Sequence, residues 1–190
     1  MVKSKGILYV ISGPSGVGKG TICKQLIANR SDLSVSVSAT TRKPREEDKE
    51  GVTYFFKTKD EFRSMIDADK FLEWAVYNEN YYGTPAESVD EKLNAGEDVI
   101  LEIEVQGALR VMEKRPDVVS IFIAPPDENA LYERLRGRGS ETEEQIEKRV
   151  NAAKAELEQK DKYDYIVVND VLETAICDIE KIMKNEKENV

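Results

Sequence analysis

Near the N-terminus an apolar run, Gly6-Ile7-Leu8-Tyr9-Val10-Ile11-Ser12, leads directly into Gly13-Pro14-Ser15-Gly16-Val17-Gly18-Lys19-Gly20-Thr21, and a helix-like stretch follows. This order constrains the chain more than any other feature, because it demands a buried strand, a glycine-rich turn and a helix start in succession. The small residues let backbone N–H groups point into one concave nest. The helix adds the positive end of its dipole, and Lys19 adds a mobile cation. The segment therefore predicts a cradle for the phosphates of a nucleoside triphosphate. In the commonest form of this loop a Ser or Thr directly after the lysine ligates magnesium. Here Gly20 takes that place and Thr21 follows, which puts direct ligation by the loop in doubt.

A loop of this kind sits in an alternating strand–helix fold, and the rest of the chain is patterned accordingly. Apolar runs at 7–12, 34–38, 99–104, 118–124 and 165–168 alternate with longer periodic segments. They predict an α/β fold of the P-loop type, a parallel five-stranded sheet flanked by helices. Thr58-x-x-Glu61 and Ser140-x-x-Glu143 have capping-box spacing ahead of helical apolar positions. Asn94-Ala95-Gly96 and Arg115-Pro116 read as helix stops. The stretch 39–85 breaks the alternation: it is rich in Tyr, Phe and Thr, with strand-like pieces at 52–57 and 71–77 around one helix. It predicts an insertion of small antiparallel strands. Gly137-Arg138-Gly139-Ser140 predicts a movable lid.

A length of 190 residues with 40% hydrophobic content suits one compact domain carrying an insertion or lid. The 37 acidic against 28 basic residues give a net charge of −9, which opposes general attraction to nucleic acid or an anionic membrane. Anion sites must then be local clusters of cations. The chain has no histidine, which excludes histidine acid–base chemistry and histidine-ligated metals. Cys23 and Cys177 stand in no metal-ligand or redox spacing and read as small buried hydrophobes in a reducing compartment. With no signal-peptide core or membrane-length apolar stretch, the expected location is the cytoplasm.

Three charged constellations stand out. Ser38-Ala39-Thr40-Thr41-Arg42-Lys43-Pro44-Arg45 places two arginine forks on a proline-stiffened loop, where they can grip a phosphate from two sides. The alternative is a solvated basic loop pairing with Glu46-Glu47-Asp48. Val99-Ile100-Leu101-Glu102 delivers an acid near the triphosphate, with Glu104 on the same strand face, and a buried ion pair with an arginine is the other reading. Arg134, Arg138 and Arg149 gather around the lid margin, where they can neutralise charge that spreads over a phosphoryl group during transfer. Glu133, Glu143 and Glu147 offer them helix-face partners instead, and Arg136 fits that description best.

With these pieces placed, the chain closely resembles the guanylate kinases over residues 5–184. The segments that carry the resemblance are the loop 12–19, Ser38 to Arg45, Gly51-Val52-Thr53-Tyr54-Phe55-Phe56, Glu73-Trp74-Ala75, Asn80-Tyr81-Tyr82-Gly83-Thr84, Arg136-Gly137-Arg138-Gly139 and Val168-Asn169-Asp170. The resemblance implies a core (5–38, 86–136 and 151–184), a GMP-binding insertion (39–85) and a lid (137–150). It implies transfer of the ATP γ-phosphoryl group to GMP, and to dGMP, with Mg²⁺. Gly13, Pro14, Ser15, Gly16, Val17, Gly18, Lys19, Gly20 and Thr21 would then bind ATP, with Asn169 near adenine. Arg42, Arg45, Tyr54 and Tyr82 would hold the GMP phosphate, and Ser38, Glu73, Thr84 and Glu104 the guanine. Lys19, Arg42, Arg134, Arg138 and Arg149 would stabilise the reacting phosphates, and Glu102 would meet Mg²⁺ through water.

Two positions depart from the family's pattern. The usual Asp-Ile-Asp stands here as Glu102-Ile103-Glu104, and Gly20 follows the adenylate kinase form of the loop, which implies a metal held mostly by phosphates and waters. Two other readings stay open at this point: an interaction module of the same fold without catalysis, and a kinase for another small phosphorylated acceptor. Nucleic acid and membrane partners are not expected, and the oligomeric state is left open.

Overall fold

A computed structural model describes residues 4–137 and 142–189. In chain order the elements are β1 (Leu8–Ser12), α1 (Lys19–Asn29), β2 (Leu33–Val35), β3 (Ala39–Thr40), β4 (Phe55–Phe56), α2 (Lys59–Asp67), β5 (Phe71–Tyr77), β6 (Asn80–Pro85) and α3 (Ala86–Asn94). There follow β7 (Asp98–Glu102), α4 (Val105–Lys114), β8 (Val119–Ala124), α5 (Glu128–Arg136), α6 (Glu143–Leu157), β9 (Tyr165–Val168) and α7 (Leu172–Glu188).

Five strands form one sheet in the order β2-β7-β1-β8-β9, and every neighbouring pair is parallel. The continuous apolar run of β1 is explained by its central place, since both of its faces are covered. Tyr9 and Ile11 join Ile22 and Leu26 of α1 and Ile179 of α7 on one side. Leu8 and Val10 join Val89, Leu93, Ala108 and Val111 of α3 and α4 on the other. The glycine-rich loop leaves the carboxyl end of this central strand, the usual ligand crevice of an open parallel sheet.

The opposite end of the sheet is closed by charge. Asp98, fully buried, accepts from the backbone N–H of Ile7 at 2.9 Å, from Arg30 at 2.6 Å and from Lys187 at 3.0 Å. At the sheet's far edge the Ser120 amide and hydroxyl both donate to Asp164 Oδ2, at 2.8 and 2.6 Å, tying β8 to the start of β9.

The second sheet runs β4-β3-β6-β5. It is mixed rather than purely antiparallel, because β3 pairs with β4 in parallel while β3–β6 and β5–β6 are antiparallel. Helix α2 closes it through Phe62, whose ring stacks on Phe71 at 4.4 Å and on Tyr81 at 5.3 Å between centroids. Burying such a side chain contributes about 1.5–3 kcal/mol. The Thr58–Glu61 capping box is formed as the spacing predicts.

Several sequence expectations need correction. The strand expected at 52–57 shrinks to Phe55–Phe56, because Gly51 at φ 71° and the Lys49 carbonyl hold 49–53 in turns. The strand expected at 34–38 is Leu33–Val35. Helix α6 is capped by Thr142, with Gln145 completing the box, and not by Ser140. Ser140 and Arg138 lie outside the described residues. Cys23 is buried as expected and its thiol is pushed up to about 12, mainly by burial, so it stays protonated. Cys177 is exposed: the buried stripe of α7 runs through Ala175, Ile176, Ile179 and Met183, and position 177 turns away from it.

Candidate active site

The loop from Gly13 to Gly18 wraps a cavity of about 410 Å³ lined by Ser15, Gly16, Gly18, Lys19, Gly20, Thr21, Lys24 and Glu102. Gly13, Gly16 and Gly18 all take positive φ, which turns the chain so that α1 opens on this space. Lys19 Nζ donates to the carbonyl oxygens of Gly13 and Pro14, at 2.5 and 3.1 Å. Burial pulls the Lys19 ammonium below its ordinary value, and Glu156, Glu102 and Glu104 oppose that pull. The loop is braced from behind: Asn169 Nδ2 donates to the Val17 carbonyl at 2.8 Å, and the Asn169 amide is held by Ala124 O.

The glycine that follows Lys19 has a visible cause. A Cβ at position 20 would stand 3.3 Å from Glu102 Oε1, so a side chain there would crowd the carboxylate that closes the cavity. Burial raises the Glu102 carboxyl, while Lys19 and Lys24 lower it. Among the described residues no group of three or more acids, cysteines or histidines gathers to hold a metal. A single carboxylate facing a phosphate cradle does fit Mg²⁺, which binds through one or two carboxylates, substrate phosphates and water.

A second cavity, of about 490 Å³, lies between the two sheets. It shares Ser15, Lys19 and Glu102 with the first, so the two spaces meet at the lysine. Ser38, Tyr54, Tyr82, Glu73 and Glu104 all line it, which brings most of the acceptor residues expected from sequence to one wall. Thr84 is buried behind Glu73 and donates its hydroxyl to Glu73 Oε1 at 2.8 Å. Burial raises the Glu73 carboxyl.

The basic loop pairs with its own acid, the second of its two readings. Arg42 Nη2 bonds Asp48 at 2.8 Å, while its guanidinium stands 5.4 Å over the Tyr54 ring, which in turn packs edge-on against Tyr82. Neither Arg42 nor Arg45 is in the lining of the cavity; Arg45 is exposed, and its backbone N–H bonds Asp48 at 2.7 Å.

Of the lid-side arginines, Arg149 reaches back from α6 to the Ser15 hydroxyl. Arg134 donates to the Asn169 carbonyl at 2.8 Å, and its Nη1, although buried, has no hydrogen-bond partner among the described residues. Arg136 pairs with Glu143 at 3.3 Å, the helix-face role expected of it.

Among the residues of the second cavity that sequence reasoning missed are Val76, Tyr77, Gln106, Gly107, Arg110 and Glu156. Two spacings carried the signal. Gln106 and Arg110 stand one helical turn apart on α4, and Glu156 is two turns beyond Arg149 on α6, so each pair shares a helix face.

The comparisons with known proteins bear on the whole chain. The guanylate kinase family model matches residues 5–186. A guanylate kinase of Halalkalibacterium halodurans is 52% identical across 98% of this chain and 91% of that protein. One of Bacillus subtilis is 52% identical across 97% and 91%. The crystal structure of guanylate kinase from Anaplasma phagocytophilum superposes with a TM-score of 0.72 at 33% identity, covering 98% of this chain and 88% of that one. Two nucleotide-sized cavities meeting at one lysine, and near-full-length similarity on this scale, lead to one conclusion: the chain belongs to the guanylate kinase family.

Proposed function

We propose that the chain transfers the γ-phosphoryl group of ATP to GMP, and to dGMP, releasing ADP and GDP. The observation that carries this reading is the meeting of the two cavities at Ser15, Lys19 and Glu102, where donor and acceptor phosphates would face each other. Curated guanylate kinases at about half identity over the whole chain support catalysis over the interaction-module reading.

Residues 13–21 would hold the ATP phosphates and Asn169 would lie toward adenine. Arg42, Arg45, Tyr54 and Tyr82 would bind the GMP phosphate, and Ser38, Glu73, Thr84 and Glu104 the base. Residues 39–85 act as the acceptor-binding insertion and 137–150 as the lid, within a core of 5–38, 86–136 and 151–184. An oxygen of the GMP phosphate attacks the γ-phosphorus as the bond to the ADP oxygen breaks. That oxygen is already anionic, so no general base is needed. Catalysis is then the positioning of two anions and the neutralising of their repulsion by Lys19, Arg42, Arg134, Arg138 and Arg149. Mg²⁺ would be held by Glu102 through water and would supply charge neutralisation to the phosphates. Two free cysteines among the described residues, Cys23 and Cys177, support work in the reducing cytoplasm, and purine nucleotide metabolism is the fitting context.

A carboxylate at position 73 favours guanine, whose N1–H and exocyclic amino group both donate, whereas adenine would present a lone pair to it. Sites built on such hydrogen bonds discriminate by about 10⁴–10⁵. The test is a coupled assay of ADP release across GMP, dGMP, AMP, CMP and UMP. Turnover concentrated on GMP and dGMP is expected, and Lys19→Ala should lose most of it while keeping the thermal melt of the parent. Turnover with no acceptor, or a folded Lys19→Ala as active as the parent, would overturn the reading.

A further inference from the structure

The strongest group that the proposed chemistry leaves unused is Arg110. It projects from α4 into the wall of the second cavity, and its Nη1 donates to the Trp74 carbonyl at 2.7 Å. Trp74 is the residue after Glu73 in β5. We propose that Arg110 is a positioning residue for the guanine-reading carboxylate, tying α4 to β5 so that Glu73 faces the cavity as an anion. The inference rests on the reading of Glu73 as the acceptor of the guanine donors.

Two contacts frame that carboxylate. On the β6 side the Thr84 hydroxyl donates to Oε1 at 2.8 Å. On the α4 side the helix backbone is the wall: a Cβ at Gly107 would stand 3.2 Å from Glu73 Oε2, so a larger residue there would press on the carboxylate. Gly107 and Arg110 lie three residues apart on that helix, neighbours on one face. Arg110 thereby fixes the strand that carries Glu73 at the point where the helix admits its side chain.

The arginine also acts through charge. Burial raises the Glu73 carboxyl; the Thr84 hydroxyl and the Arg110 cation oppose the rise, the Thr84 amide also opposes it, and Glu104 adds to it. Across the same cavity stand Lys19, Glu102, Glu156, Tyr54 and Tyr82. The sign follows directly. A carboxylate that must be ionised to accept from guanine loses a favourable cation when Arg110 goes. Its protonation then sets in at higher pH, and the acid limb of kcat/KM for GMP moves upward. Burial also raises the carboxyls of Glu102 and Glu156, so the limb must be assigned by coupling.

The experiment measures kcat and KM for both nucleotides from about pH 5 to 8 in the parent, Arg110→Lys, Arg110→Gln, Glu73→Gln and the Glu73→Gln/Arg110→Gln double variant. Arg110→Gln should raise KM for GMP by about tenfold, with kcat and KM for ATP within about twofold. Its acid limb should move to higher pH, while Arg110→Lys keeps the limb of the parent. In the Glu73→Gln background the same substitution should move nothing. GMP's own phosphate titrates alike in every variant, so differences between variants belong to the enzyme. Arg110 is exposed, and Arg110→Met serves as a second variant without the cation should the glutamine fold poorly.

A limb that stays put in Arg110→Gln and Arg110→Met reduces Arg110 to a structural staple and overturns the proposal. So does a shift that persists without Glu73. If Glu73→Gln alone leaves KM for GMP unchanged, the guanine reading itself fails. An impaired Glu73→Gln with an unmoved Arg110→Gln limb sinks only the role of Arg110.

Discussion

Arg42 and Arg45 stand three positions apart on one loop but in different surroundings. The Arg42 guanidinium, its side chain 18% exposed, is held by Asp48 and lies over Tyr54, whereas Arg45 offers only its backbone to Asp48 and extends into solvent. An anion entering beside Tyr54 and Tyr82 meets Arg42 first. Arg42→Ala is therefore expected to raise KM for GMP by about 100-fold, at the upper end for hydrogen bonds to charged groups, and Arg45→Ala by clearly less, with KM for ATP little changed in both. Steady-state kinetics of the two variants decide the matter; equal losses would mean that the loop re-forms around the phosphate and releases Asp48. The sequence singled out both arginines, because two such forks at close spacing suit a phosphate. It could not rank them, since the ranking depends on how Pro44 and the Asp48 acceptor bend the loop in space.

Helices and strands carry a second lesson. The charged knot at Asp98 joins the starts of β1 and β7 to Arg30 and to Lys187 of α7, far from either cavity. Removing one partner of a buried charge network leaves the others uncompensated, which costs about 3–5 kcal/mol. Asp98→Ala should lower the midpoint of thermal or urea unfolding accordingly and leave kcat near that of the parent at temperatures where it is folded. A melt indistinguishable from the parent would show that the knot contributes nothing net. Elements were legible where local chemistry is explicit: β5 and β9 have the bounds that their apolar runs predict, and Thr58 caps α2. They were misread where two signals compete in a few residues. Thr142, two residues after Ser140, begins a capping pattern of its own with Gln145, and it is Thr142 that caps α6. Gln106, Arg110 and Glu156 escaped because helix packing on the sheet, and no motif, brings them to the cavity.

Across the whole molecule the two cavities open on both sides of Lys19, with β5 and β6 walling one and the 128–157 helix pair reaching the other through Arg149 and Ser15. Binding both nucleotides should draw these parts together and exclude water from the reacting phosphates. Small-angle scattering is expected to show compaction with GMP and an unreactive ATP analogue together, and less with either alone. An unchanged profile at confirmed saturation would count against closure. The parallel sheet that makes this arrangement also sets the order in which it can be assembled. Ile7, at the threshold of β1, finds its partner Asp98 91 residues later in the chain, and the remaining partners of β1 come later still. The smaller sheet, by contrast, pairs only within residues 39–85. As the polypeptide emerges during synthesis, residues 39–85 can pair their strands while the glycine-rich loop still hangs from a strand with both edges bare. Long-range parallel pairing of this kind is slow and prone to aggregation. The most exposed moment in the life of this chain thus falls before its last strand is made.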